Sequence, residues 1–479
     1  MKWISLLMIF KKTKIVATIG PATESKAVLG KLVDAGLNVM RLNFSHGDFA
    51  EHQTRVNNLR EVMKEKGQFV GILQDLAGPK IRIGEFYKEC VTLVPGESFT
   101  LTTDKIVGDE HNAYVNYPTL PKELKKGHLV LLDDGKKKLE VISTTQKTIK
   151  CKILVGGETK GKRGVNLPGA YLKISSITEK DRKDLEFGIK NKVDFVALSF
   201  VRRPEDIEEL RVLLKKVKSE AMIVAKIETE EAVENIDAII RLTDAVMVAR
   251  GDLAIEIGAE NVPMIQKQII KKCRLAGKPV ITATQMLESM IKFPIPTRAE
   301  VSDVANAILD GTDAIMLSEE TTLGDYPLEA VKMMTTVALR VEKEYPRKDV
   351  IRQKGRIDEI VVSDCVSDAV VEIAENTAAS FIAALTYSGK TARTISRFKP
   401  LQPILAISPK EKTCQQLSVS FGCLPICVQK ISGTVDAMDF LRKYLTQNKI
   451  AKKGEKVVIT SGWPFGKNID TNMLIVETL

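Results

Sequence analysis

Lys226 and Glu228 stand two residues apart in the apolar run MIVAKIE, and Asp252 closes a second such run, DAVMVARGD, after a helical stretch TEEAVENIDAIIRL. Side chains two apart on a strand project to one face, so this ammonium and carboxylate leave the carboxyl end of one strand together. Asp252 is expected at the end of the next strand. Buried strands of a parallel sheet are otherwise nearly continuous Val, Ile and Leu, and such sheets bind ligands at their carboxyl ends. A compact cation beside two carboxylates suits a hard, oxygen-seeking metal such as Mg2+. The plain alternative is an internal ion pair, disfavoured because several buried charges without a ligand are costly.

These residues need a frame that brings strand ends together. Short apolar strands alternate with amphipathic helices, and eight strands are predicted, at 13–20, 37–43, 69–75, 194–200, 222–228, 244–250, 279–285 and 312–318. Nearly all end in polar residues: Arg41, Asn43 and Ser45; Asp75; Ser199; Lys226 and Glu228; Arg250, Gly251 and Asp252; Thr284 and Gln285; Ser318 and Glu320. Eight parallel strands close a barrel, and polar ends converging on one face mark a catalytic (β/α)8 barrel. A doubly wound open sheet is the alternative, but it would place its ligand at one switch point and would not need every end to be polar. Within RLNFSHGD, Arg41 is suited to fork onto a phosphate and the oxygens of Asn43 and Ser45 to bind a cation, with His46 a loop hydrogen-bonder and not a base. DLAGPKIR places Asp75 inside the barrel and Arg82 near a hinge.

About a hundred residues after Asp75 differ in character, rich in Gly, Lys and Thr with the β-like pieces CVTLVPG, GHLVLLDDG, KLEVIST and TIKCKILVGG. They predict a small β domain inserted after the third strand, hinged at Gly78-Pro79 and near Leu167-Pro168-Gly169, able to close over the barrel mouth as a lid. Beyond a linker-like stretch from Glu344 to Asp358, the strands FIAALT, PILAIS, LPICVQ, KVVITSG and NMLIVETL predict a further α/β unit. Expected boundaries are 11–78 with 178–345 for the barrel, 79–177 for the lid and 355–479 for the C-terminal unit.

Two segments imitate a nucleotide-binding P-loop. In Gly156–Arg163 an Arg replaces the Ser or Thr that ligates Mg2+, and in Ala384–Thr391 an Ala replaces the first Gly, so neither is one. The second, with Thr386, Ser388, Gly389, Lys390 and Thr391 at a helix start, still suits a phosphate, against the simpler reading of an ordinary capped helix.

At 479 residues the chain exceeds a single core. Its excess of cation, +10 from 71 Lys and Arg against 61 Asp and Glu, is interspersed with acids and carries no nucleic-acid-binding signature, so it fits small polyanionic substrates. Seven scattered cysteines, with Cys423 and Cys427 four apart and no CxxC, predict neither zinc nor disulfides and point to a reduced, cytoplasmic compartment. The opening MKWISLLMIF resembles a curtailed signal peptide, lacks a small-residue cleavage site and is too short to span a membrane; Met8 is an alternative start.

The motifs TKIVATIGPAT, VMRLNFSHGD, GVNLPG, IVAKIETEEAV, MVARGDLAIEIG, ITATQMLESM, PTRAEVSDVANAILDGTDAIMLSEET and YSGKTAR, in this order from about Lys11 to the end, resemble the pyruvate kinase family. The resemblance implies phosphoryl transfer from phosphoenolpyruvate to ADP followed by protonation of the enolate. It implies Mg2+ (or Mn2+) on Glu228 and Asp252, Lys226 beside the moving phosphoryl group, Arg41 on the phosphate, and Gly251 with Thr284 on the substrate carboxylate. Arg82, Arg163, Asn43 and His46 would serve the nucleotide, with a second Mg2+ arriving on it. Lys226, Thr284 with a water, and a relay through Ser318 and Glu320 remain alternative proton sources. The family also implies a homotetramer, a phosphorylated effector at the 386–391 turn, and K+ on Asn43, Ser45, Asp75 and the carbonyl of Leu76. This chain departs at Leu76 and Ala77, where the family commonly has Thr and Lys, and at two further positions. GPKIR has Lys80 where the family commonly has Glu, so a fixed ammonium is expected to replace K+, and Glu319 stands where Gly is common, which affects loop geometry. A barrel lyase acting on the Mg2+-enolate of pyruvate would have no use for Arg82, Arg163 or a lid, and a non-catalytic relative would have lost Lys226, Glu228 or Asp252.

Overall fold

Alternating side-chain direction sorts each predicted barrel strand into two apolar faces, and in the computed structural model both faces are filled. The structure describes residues 10–345, 361–428, 434–448, 450–464 and 469–479; the opening apolar run up to residue 9 and most of the predicted linker, 346–360, lie outside the described residues. The strands are Lys14–Thr18, Val39–Asn43 and Gly71–Asp75 (β1–β3), then Cys90–Leu93, Ser98–Thr102, Asn112–Tyr114, Leu129–Leu132, Lys137–Thr144, Thr148–Val155, Gly157–Lys160 and Val165–Asn166 (β4–β11). Phe195–Val201, Met222–Ile227, Ala245–Ala249, Val280–Ala283 and Ala314–Leu317 follow (β12–β16), and Phe381–Leu385, Ile404–Ser408, Cys423–Cys427, Lys456–Ser461 and Met473–Thr478 end the chain (β17–β21).

β1–β3 and β12–β16 close a parallel barrel in the order β1-β16-β15-β14-β13-β12-β3-β2. Ile15, Ala17, Ile223, Ala225, Ile227, Val246 and Val248 point outward into the layer shared with the helices. Val16, Val224, Met247 and Ile281 point inward and fill the barrel. Lys226 has the parity of Met222 and Val224, so it is delivered to the interior at the carboxyl end, where no apolar layer remains to cover it. The helices start where their sequences supply caps: Asp48 with Glu51, Thr178 with Asp181 and Thr297 with Glu300 form reciprocal capping boxes.

Between β3 and β12 the inserted segment folds about its own core of Phe99, Leu101, Val130, Leu139, Ile149 and their neighbours. A six-stranded sheet, β11-β7-β8-β9-β5-β6, and a β4–β10 ribbon form it. The first P-loop imitation contributes β10, paired antiparallel with β4. Bridges Arg82–Gly164 and Ile83–Val115 draw the start of the insertion against its later strands.

The C-terminal sheet, β19-β18-β17-β20-β21, is parallel apart from β20–β21. It sits against the amino ends of the barrel strands. Val419 joins the inner barrel cluster and plugs its floor. The Ser418 hydroxyl accepts from Gly71 N at 3.1 Å, and a Cβ at Gly71 would lie 2.5 Å from that oxygen, so this close approach requires glycine.

Candidate active site

Arg41, Asp75, Lys226 and Glu228 meet at the mouth from the ends of β2, β3 and β13. Arg41 Nε donates to Asp75 Oδ2 at 2.7 Å, and Arg41 Nη1 to the Thr18 hydroxyl at 2.7 Å. Lys226 Nζ lies 2.9 Å from Glu228 Oε1 and 3.2 Å from Asp75 Oδ1, and it donates to the Ser199 hydroxyl at 2.6 Å. The ion pair weighed as an alternative from sequence is therefore present, and it is the resting state of a site that opens onto space. A cavity of about 90 Å³ is bordered by Arg41, Asn43, Ser45, Lys80, Lys226, Glu228, Asp252 and Thr284.

The charges are set by mutual contact. Burial works to lower the pKa of Lys226, but the carboxylates of Asp75 and Glu228 outweigh it and hold the ammonium above its ordinary value. Burial likewise opposes ionisation of Asp75, and Lys226 and Arg41 overcome it, keeping that carboxyl below the usual range. Glu228 is pushed up by burial, with the Asp252 carboxylate adding to the push against Lys226. A buried carboxylate pushed up by a second one beside it marks a site that gains from a cation.

One expectation needs correction. Asp252 does not end a strand: β14 stops at Ala249, and Arg250–Ile257 is a helix whose first turn holds Gly251 and Asp252. The first N–H groups of a helix lack intrahelical partners and favour an anion, an arrangement that strand geometry would not supply. Thr284 completes it. Its hydroxyl accepts from Gly251 N at 2.9 Å and donates to Ala283 O at 2.6 Å. Thr284 and Gln285 have φ of +68° and +52°, and Phe200, whose N–H donates to Glu228 Oε2 at 2.7 Å, has φ of +54°. For a β-branched residue this backbone is costly, and such strain gathers at functional sites. Arg250 clamps the strained loop, donating to Thr284 O at 2.7 Å while paired with Asp303 at 2.7 Å. Sequence reading had noted Arg250 only as a polar strand end; its positioning role depends on a helix start that periodicity does not reveal.

His46 is exposed at the tip after β2, and its carbonyl accepts from His52 Nε2 at 3.1 Å. Burial, then the charges of Lys80, Arg82 and Arg41, lower its pKa, so it is neutral at pH 7. Ser45 N donates to Asn43 Oδ1 at 3.1 Å, and Leu76 O accepts from the Ser199 hydroxyl at 2.7 Å. Arg82 and Arg163 border a cleft of about 230 Å³ between insertion and barrel, together with Asp252 and Glu256. Arg82 also borders a neighbouring space of about 350 Å³ with Asn116, Tyr117, Thr178 and Lys180, residues that the sequence motifs did not single out. Arg82 donates to Lys162 O at 3.1 Å, and Arg163 lies 3.3 Å from Asp133.

Glu319 is exposed at the first position of a short helix, Glu319–Thr322, with no left-handed backbone, so the loop accommodates it in place of glycine. Glu320 is buried, its carboxylate accepting from Ser318 N at 2.7 Å and Leu287 N at 3.1 Å, and burial raises its pKa. At the distant 386–391 turn, Gly389 N donates to the Thr386 hydroxyl at 2.9 Å and the Thr471 hydroxyl to that of Thr391 at 2.9 Å. Ser388 is exposed, and Lys390 pairs with Asp470 at 2.6 Å.

Among the described residues no group of three or more His, Cys, Asp or Glu side chains is placed to hold a metal, and no helix is long and apolar enough to cross a membrane. Family comparison agrees with the geometry. Residues 10–331 match the pyruvate kinase barrel domain and residues 364–477 the pyruvate kinase alpha/beta domain. The chain is 44% identical over 466 residues to a pyruvate kinase of Thermotoga maritima, covering 97% of this chain and 99% of that one. It is also 44% identical over 473 residues to pyruvate kinase 2 of Synechocystis sp., covering 98% and 79% respectively. A crystal structure of a pyruvate kinase from Cryptosporidium parvum superposes with a TM-score of 0.93 at 34% identity, covering 98% of this chain and 96% of that one. With a closed barrel, an inserted β unit, a C-terminal α/β unit and matches along nearly its whole length, the chain belongs to the pyruvate kinase family.

Proposed function

We propose that Arg41, Lys226, Glu228, Gly251, Asp252 and Thr284 are the groups through which this chain performs the reaction of its family, phosphoryl transfer from phosphoenolpyruvate to ADP. The observation that carries the assignment is their convergence: Arg41 from β2, Lys226 and Glu228 from β13, and Asp252 from the helix start after β14 border one small cavity. Such a transfer requires positioning and charge neutralisation more than covalent help from the protein.

Glu228 and Asp252 supply two carboxylates, the donor set Mg2+ favours when substrate oxygens and water complete its shell, and the described residues offer no cluster of three. Bound there, Mg2+ or Mn2+ would polarise the substrate oxygens as a Lewis acid. Arg41 grips the phosphate. Lys226, held charged by its neighbours, faces both the departing phosphoryl group and the enolate oxygen it leaves. Gly251 N and the Thr284 hydroxyl receive the substrate carboxylate. Asn43, His46, Arg82 and Arg163 meet the nucleotide phosphates from the barrel rim and from the inserted unit, and closure of that unit excludes water. Protonation of the enolate falls to Lys226, to water on Thr284, or to the Ser318–Glu320 pair. A coupled assay of pyruvate formation with and without ADP tests the reading: strict ADP dependence supports it, and ADP-independent turnover would indicate lyase chemistry.

Pyruvate kinases in general depend on Mg2+ and K+. Lys80 borders the same cavity as Asn43 and Ser45, and Asp75 is already engaged by Arg41 and Lys226. We assign Lys80 the positive charge that K+ brings elsewhere. The 386–391 turn is assigned to a phosphorylated effector, which must displace Asp470 from Lys390. Lys390→Ala is expected to abolish activation by sugar phosphates or nucleotide monophosphates without changing unstimulated turnover. A homotetrameric assembly and a cytoplasmic location complete the proposal, the first open to analytical ultracentrifugation.

A further inference from the structure

At the opposite end of the barrel from the mouth, a half-buried guanidinium carries one buried donor atom with no partner among the described residues. Arg393 lies on the helix Lys390–Ser396, and its Nη2 donates to Ser388 O at 2.9 Å. Its Nη1 is buried with no hydrogen-bond partner, and Arg393 forms no ion pair among the described residues. Burial lowers its pKa, with Asp244 only a more distant influence, yet a guanidinium cannot shed its proton inside a protein. Ser420, 0% exposed, also has a hydroxyl with no partner among the described residues.

Both residues border one cavity between the barrel floor and the C-terminal unit, alongside Arg274, Lys278 and Arg397. Its single acid is already committed: Asp313 accepts from Lys399 at 2.8 Å, from Val280 N at 3.0 Å and from Phe421 N at 3.3 Å. Arg397 is matched by Asp364 at 3.1 Å, whereas among the described residues Lys278 Nζ donates to the carbonyl of Thr243, at 2.7 Å, and has no ion pair. Positive charge is left over. The cavity offers about 10 Å³ to the centre of a water-sized sphere, room for a single particle of that size and not for a tetrahedral oxyanion. A water molecule would satisfy the two orphaned donors but bring no charge to offset the cations around them, which an anion does.

We propose that this cavity is a binding site for a halide-sized anion, chloride in the first instance, held by Arg393 Nη1 and the Ser420 hydroxyl, and that its occupancy fastens the helix Lys390–Ser396 to the barrel floor. The anion bridges two units, contributing to their docking and not to the chemistry at the mouth. Because it binds the folded chain alone, it raises the unfolding midpoint in a saturable way.

Two measurements on the full chain decide the matter. Crystals soaked in bromide are expected to show an anomalous peak in contact with Arg393 Nη1 and Ser420 Oγ. In solution, replacing gluconate by chloride at constant ionic strength is expected to raise the midpoint along a saturating curve. Ser420→Ala should weaken the apparent affinity tenfold or more, and Arg393→Met, which removes the charge to be matched, should abolish the response. No bromine signal in the cavity, or a chloride response of equal size in the wild type and in Ser420→Ala, overturns the proposal; the second comparison stands even if Arg393→Met fails to fold.

Discussion

The two ends of the barrel both bury charge, and they do so in opposite ways. At the mouth, Arg41, Asp75, Lys226 and Glu228 pair with one another beside open space, under strained backbone at Phe200 and Thr284. At the floor, charges are sealed between units: Lys399 with Asp313 at 2.8 Å, Lys412 with Asp194 at 2.7 Å, and Lys14 Nζ on the carbonyl of Cys423 at 2.7 Å. Burial of charge is therefore no signature of catalysis in this fold. What separates the ends is whether a ligand can exchange for the partner. Ion pairs at the mouth are placeholders; those at the floor are joints.

That contrast can be broken by removing one lysine from each end. Lys399 is 1% exposed, so Lys399→Met leaves Asp313 buried without its cation and is expected to cost roughly 3–5 kcal/mol of stability. Turnover per folded molecule should stay near wild type. Chemical denaturation alongside an active-site titration measures both, and a stable but inactive variant would show that the floor is not merely a joint. Lys226→Met should do the reverse, lowering kcat by two orders of magnitude or more, roughly 3 kcal/mol, with the protein still folded and Mg2+ still bound. Retention of a tenth of the turnover would remove Lys226 from its assigned role. Substitution of Lys80 sharpens the picture at the mouth itself. The wild type is expected to be fully active in Na+ or tetramethylammonium buffer, and Lys80→Glu to gain at least a tenfold response to K+; a wild type that fails without K+ refutes the replacement.

The smallest effect expected is at the hinge of the inserted unit. Glu256 borders the cleft with Asp252, and burial raises its pKa to about 7 from an ordinary 4.5, against hydrogen bonds from Leu167 N and the Asn166 side chain. A folded-state value above the unfolded one means that its contribution is complete below about pH 4.5 and is lost as pH rises through 7. Glu256→Gln should flatten that dependence in the metal-free protein. The variant's unfolding midpoint is expected to exceed the wild type's by about 1–3 °C at pH 8 and to match it near pH 5, a small gap because the side chain is partly open to solvent. Parallel thermal unfolding curves at the two pH values would contradict this.

The mouth was legible in the sequence to the extent that it depends on strand parity. Lys226 could be placed because an apolar run fixes which face each residue takes, and each of the eight predicted strands overlaps a barrel strand. Asp252 was misplaced because VMVARGDLAIEIG passes from strand to helix with no capping residue to mark the change, and Ala249 makes no side-chain cap bond. The strain at Thr284 has no local signal at all, since threonine is not a residue that advertises positive φ. In the inserted unit, β10 (GETK) and the two-residue β11 lack the apolar alternation that revealed β7–β9. The floor was the least legible. Its joints link residues 86, 218 and 409 positions apart, and one sequence carries no trace of such pairings.

The insertion between β3 and β12 also sets an order of assembly on the ribosome. The ring closes only where Lys14–Ala17 meet Ala314–Leu317, so at roughly 5–20 residues per second the first strand waits about 15–60 s for its last neighbour. Through the first part of that interval β3 has an unpaired edge, because its partner β12 begins more than a hundred residues later. The inserted unit, with an apolar core of its own, is complete before β12 emerges. It is thus placed to fold beside the unfinished edge of the nascent barrel, so a substitution that slows its folding would show its cost in the yield of newly made protein before any cost in the finished enzyme.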